Sequence, residues 1–163
     1  MMRLKLVGRI STVVLVFAAT VPSAELATRK ALTLDVAKQI AAASERFARQ
    51  KQWNVAMSIV DEGGHLIYFQ RMDGVQTGSI EVSMRKAKSA AAFKRPGKVF
   101  SDAVAKGRIA LLGLPGAMPF EGGVPITVDG QVIGAVGVSG VTGQQDGMIA
   151  QAGVDALPSI LRR

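Results

Sequence analysis

Residues 54–73 read NVAMSIVDEGGHLIYFQRMD, and two strands with a turn between them can be read from this one stretch. Val55 to Asp61 is an apolar run rich in residues that favour extended backbone, and His65 to Met72 mixes β-branched, aromatic and long side chains. Between them Asp61-Glu62-Gly63-Gly64 supplies the turn, because glycine takes the positive φ angles that a chain reversal needs. Alternation along the second run predicts His65, Ile67, Phe69 and Arg71 on one face and Leu66, Tyr68, Gln70 and Met72 on the other. His65 is the only histidine of the chain and stands directly after the turn.

Working outward, Val36, Ile40, Ala43 and Phe47 recur at steps of four, three and four upstream of the hairpin. That spacing predicts a helix over 33–51 with Thr33 as its N-cap. Downstream, Thr77 or Ser79 starts a second, alanine-rich helix that runs to Phe93, and Pro96-Gly97 stops it. Ser101 is expected to cap a short helix to Arg108. Gly113, Pro115, Gly116, Pro119 and Gly122-Gly123 then exclude long regular structure, apart from one short extra strand expected within 109–120.

The second hairpin is the plainest local signal: Val124 to Val128, then Asp129-Gly130, then Gln131 to Ser139. Gly134, Gly137 and Gly140 leave part of this last strand bare, which suits close approach of another element or a ligand. Thr142-Gly143-Gln144-Gln145 forms a capping box for a terminal helix with the stripe Ile149, Ala152, Ala156 and Ile160. Hairpins separated by helices make an α+β fold: an antiparallel β-sheet of about five strands, flanked by helices.

The 163 residues suffice for one domain, and 48% of them are hydrophobic, which excludes a disordered chain. Arg3, Lys5 and Arg9, an apolar run from Ile10 to Ala19 and the small residues near Ala24 predict a signal peptide over 1–24, followed by a single domain over 25–163. The competing reading is an uncleaved N-terminal anchor. Such a leader places the protein in the periplasm or outside the cell, with no stable membrane span once it is cleaved. The chain has no cysteine, so disulfide and thiolate chemistry are excluded, and one histidine cannot build a zinc site.

Removing 1–24 takes away three bases and no acid and leaves a net charge of +5. Eight bases fall between Arg85 and Arg108 against the single acid Asp102. Export argues against nucleic acid as their partner and favours a solvated helix face or a rim that attracts a small anionic ligand. Ser139 in Gly137-Val138-Ser139-Gly140 does not meet the G-x-S-x-G pattern of a nucleophile elbow.

The runs VDEGGHLIYFQRMDG and EGGVPITVDGQVIGAVGVSGVTGQQD, with the Arg-Lys-Ala-Lys core of the helix between them, resemble the GlcG/HbpS family over about residues 32–161. That family includes the C-terminal haem-binding domain of PduO-type proteins. The resemblance implies a profilin-like sheet, a homo-oligomer, and binding of haem or a related tetrapyrrole. It also implies an axial iron-ligand role for a histidine after the Gly-Gly turn, the position of His65. Gly143 to Met148 departs from the family by carrying less acid.

A haem site needs an iron ligand, an apolar slot and a cation for the propionates. His65 is the candidate metal ligand. Phe69 and Met84 are candidates for the slot beside Ile67 and Met72, and Arg71, Arg85 or Lys88 for the cation. Two other readings stand beside simple binding: an enzyme acting on the bound haem or on a small hydroxy or keto acid, and a non-catalytic oligomeric accessory protein.

Overall fold

The computed structural model describes residues 24–162. The expected signal peptide lies, but for Ala24, outside the described residues. Helix α1 (Leu34–Gln50) leads into strands β1 (Ala56–Asp61) and β2 (Leu66–Arg71), followed by α2 (Gly78–Phe93) and α3 (Gly97–Ala105). A short 3-10 turn (Ile109–Gly113) precedes β3 (Gly123–Val128) and β4 (Gln131–Ser139), and α4 (Gly143–Asp155) and α5 (Leu157–Ile160) close the chain. The strands form one antiparallel sheet in the order β2-β1-β4-β3, so the two hairpins join through β1 and β4.

Burying a helix on each face of a sheet removes both apolar surfaces from water, and β1 and β4 divide their side chains accordingly. Met57, Ile59, Val136 and Val138 join Ile40, Ala41, Ile126, Ile149 and Ala150 in the main core under α1 and α4. On the other face Val60 and Ala135 pack against Ala87, Ala90 and Ala91 of α2. That contact is close because the residues are small: a Cβ on Gly137 would collide with the Ser83 carbonyl and the Ala87 nitrogen, and one on Gly123 with the Lys86 carbonyl. A vein of buried hydroxyls crosses the same interface, Ser58 Oγ lying 2.8 Å from Ser83 Oγ and Ser139 Oγ donating to Ser79 Oγ at 3.2 Å.

Four details correct the reading from sequence. The extra strand expected within 109–120 is a 3-10 turn followed by irregular chain, because Gly113, Pro115 and Pro119 interrupt any ladder. The third helix begins at Gly97, immediately behind Pro96, rather than at Ser101. The terminal helix breaks at Ala156, and Pro158 falls in the first turn of the separate α5. Gly134 and Gly137 do not share one bare face: a side chain on Gly134 would meet Leu32 and the Val60 carbonyl on the α1 side, whereas Gly137 faces α2.

Candidate functional site

Helix α2 packs over β4, β1 and β3 and leaves the same face of the edge strand β2 uncovered. On that open strip Phe69 pairs with Ser58 and Arg71 with Ala56, while Leu66 stands opposite Val60 and is 49% exposed. Because Ser58 also touches Ser83, Phe69 stands beside α2 at the level of Ser83 and its neighbour Met84. Phe69 and Met84 are both half-buried, and with the exposed Leu66 they are the apolar side chains along this shelf.

The register shifts between Ile59 and Val60, and the bulge changes what alternation predicts for β2. Ile67 packs on the main core beside Tyr68, and Met72 is buried in that core. Neither belongs to the shelf. Leu66, expected on the opposite face from Phe69, takes the place of Ile67.

His65 lies at the start of this strip. Its side chain is 84% exposed, and both its backbone and its ring are gripped by one carboxylate. The His65 amide donates to Asp61 Oδ1 at 2.8 Å, and ring Nδ1 lies 3.2 Å from Asp61 Oδ2. The turn is tied further by Asp61 N donating to the His65 carbonyl at 2.9 Å and Gly64 N to the Asp61 carbonyl at 3.1 Å. Partial burial pushes the Asp61 carboxyl up, but the bonds from His65 outweigh it and hold the group below its ordinary value.

The three candidate cations separate. Lys88 rests its side chain against Gly64, 3.6 Å from where a Cβ would stand, and so shares the His65 end of the strip. Arg71 closes the far end, on the order of 20 Å away along the strand at about 3.3 Å per residue. Arg85 is exposed on α2, two residues from each of the sheet-facing Ser83 and Ala87, which turns it away from the shelf. The structure therefore gathers His65, Phe69, Met84 and Lys88 along one strip, puts Arg71 at its far end, and leaves Arg85 outside.

Reading the bases of α2 as a solvated face holds for Arg85 and Lys88 and fails for Lys86. Lys86 Nζ donates to Asp146 Oδ2 at 2.8 Å and to the Val138 carbonyl at 3.0 Å, with both side chains almost wholly buried. Burial pushes the Asp146 carboxyl above its ordinary value, against the pull of Lys86 and of the Val141 and Gly140 amides. The signal in the sequence was the stripe Ser79, Ser83, Lys86, Ala87 and Ala90, which puts Lys86 on the sheet-facing side of the helix.

The most apolar of the described cavities is elsewhere. About 520 Å³ opens at the β3 edge between α4 and the Pro96 corner, with Phe47, Val124, Met148 and Ala152 as apolar walls and Lys98 and Glu121 at its rim. It contains none of the residues singled out around the first hairpin. Among the described residues no group of three or more His, Asp or Glu side chains could hold a metal ion. Among them, too, no helix is long and apolar enough to cross a membrane.

Comparison with known proteins agrees with this architecture. A family model described as haem degrading protein HbpS-like matches residues 32–155. Protein GlcG of Escherichia coli K12 is 40% identical over 112 residues, covering 69% of this chain and 84% of GlcG. The crystal structure of Klebsiella pneumoniae protein ORFY superposes with a TM-score of 0.78 at 36% identity, covering 85% of this chain and 99% of ORFY. The structure of a PduOC:heme complex superposes with a TM-score of 0.71 at 32% identity over 78% of this chain and 95% of that one. The matched span and these relatives settle the family: this protein belongs to the GlcG/HbpS family.

Proposed function

We propose that this protein binds haem or a closely related tetrapyrrole on the open strip of β2, with His65 Nε2 as the axial ligand to iron. The observation that carries the reading is the exposed, oriented imidazole at the end of an uncovered apolar strip, with Lys88 beside it. Neutral imidazole is a strong iron ligand, Leu66, Phe69 and Met84 offer the flat apolar surface a porphyrin face needs, and Lys88 supplies charge for a propionate. The family's description and the heme-bound neighbour support the ligand class. Residues 1–24 would deliver the protein to the periplasm or the medium, and assembly into a homo-oligomer would cover the outer side of a bound porphyrin.

A hemin titration followed by visible absorption tests the reading. A saturable, shifted Soret band at one haem per chain supports it, and a Lys88→Glu variant should weaken the binding. Absence of saturable binding would overturn it and turn attention to small carboxylates and protein partners. The family's description also favours a second reading, turnover of the bound haem. Supplying a reductant and oxygen to the complex separates the two: progressive loss of the Soret band with release of iron indicates degradation, and a persistent band indicates storage or transfer.

A further inference from the structure

We propose that Asp61 is a positioning residue for His65: it holds the imidazole in the tautomer protonated at Nδ1 and so leaves Nε2 as the free donor atom. The proposal rests on the reading of His65 as an iron ligand, and it adds to that reading the group that makes the histidine competent.

Two observations carry it. The first is the double grip of the carboxylate, whose Oδ1 accepts the His65 backbone N–H while Oδ2 lies 3.2 Å from ring Nδ1. An ionised carboxylate only accepts, so the nitrogen facing it must carry the proton, and the lone pair of a neutral ring is left on Nε2. The second is a cradle at Gly63. A Cβ there would stand 2.9 Å from both Cε1 and Nδ1 of the ring and 3.3 Å from Asp61 Oδ1, so any side chain at 63 would push the imidazole out of its seat. Gly63 has no positive φ to account for its being glycine, in contrast to Gly64 at φ +82°. Space for the ring is the requirement that the structure shows.

The consequence is chemical as well as geometric. An exposed histidine with a free ring samples both tautomers and several rotamers, and each ligation event must first select one. A carboxylate on Nδ1–H removes that selection by fixing both tautomer and ring orientation, as carboxylates hydrogen-bonded to histidine ligands do generally.

Long-range ¹H–¹⁵N correlation spectra of the ligand-free protein in mildly alkaline buffer read the tautomer directly, since His65 is the only histidine. The expected result is a protonated Nδ1 in the native protein and a shift toward the Nε2–H form in Asp61→Ala. Gly63→Ala keeps the carboxylate and should release the ring in the same way, which guards against an effect of Asp61→Ala on folding of the turn. Hemin affinity should fall about 10- to 100-fold in both variants, the usual cost of losing an outer-sphere partner, and the iron reduction potential of the remaining complex should rise. A native protein that shows mainly the Nε2–H form overturns the proposal whatever hemin does. If the tautomer behaves as expected but His65→Ala binds hemin as the native protein does, the assignment of His65 as iron ligand falls while the orientation of the ring by Asp61 stands.

Discussion

Lys86 of α2 and Asp146 of α4 form a buried ion pair, with Nζ 2.8 Å from Oδ2, that ties two helices to opposite sides of β4 through the Val138 carbonyl. Each ion has taken the other as replacement for water, and the remaining carboxylate oxygen accepts the Val141 amide. Removing one partner therefore leaves a buried charge uncompensated, which typically costs about 3–5 kcal/mol. Lys86→Met and Asp146→Asn are each expected to lose stability on that scale in urea unfolding. The double variant Lys86→Met/Asp146→Leu should lose much less than the two single losses combined.

The contact between α2 and the sheet makes a second prediction. Gly137→Ala places a methyl group against the Ser83 carbonyl and Ala87, where backbone rather than a flexible side-chain end must move. Overpacking of this kind costs about 1–3 kcal/mol, seen as a lower denaturation midpoint. The control is Gly78→Ala, which meets nothing within 4 Å and sits at the start of α2, where alanine is the better helix former.

Acid sensitivity follows from two carboxylates. Gln70 donates to Glu45 and lowers its carboxyl below 4.5, and the His65 bonds lower that of Asp61 below 3.8 despite its partial burial. A carboxyl with a depressed folded-state pKa contributes stability that is present above its unfolded value and lost as pH falls through the folded one. The Glu45–Gln70 bond joins α1 to β2, so Gln70→Leu should lower stability at neutral pH and flatten its loss below pH 4.5, where the two proteins converge. Equal acid profiles for the variant and the native protein would contradict this assignment.

The capping box of α4 gives a smaller effect. Thr142 accepts the Gln145 amide and Gln145 returns a bond to Thr142 N–H. Thr142→Ala should cost about 1 kcal/mol. Because Asp146 belongs to the same turn, its combination with Asp146→Asn is expected to be non-additive.

Much of the fold was legible because its determinants are local. The Asp129-Gly130 turn, the period of α1 behind Thr33 and the box at Thr142 each act within a few residues, and each stands where the pattern put it. What escaped is set by partners far along the chain. Lys86 reads as one base in a basic run until α2 is laid on β4 and Asp146 comes within reach from 60 residues away. Ile67 and Leu66 exchanged roles because a bulge interrupts the alternation, and nothing in the run HLIYFQR marks where it falls. For the site, His65 and Phe69 follow from the hairpin, and Arg85 could be separated from Lys88 only once the facing side of α2 was known.

Haem ligation depends most on His65, and electron paramagnetic resonance of the ferric hemin complex tests it most directly. With His65 bound to iron, the native complex should give a spectrum of nitrogenous axial ligation that His65→Gly loses and added imidazole restores. A native spectrum carried over unchanged into His65→Gly, with no response to imidazole, would contradict the assignment of the ligand.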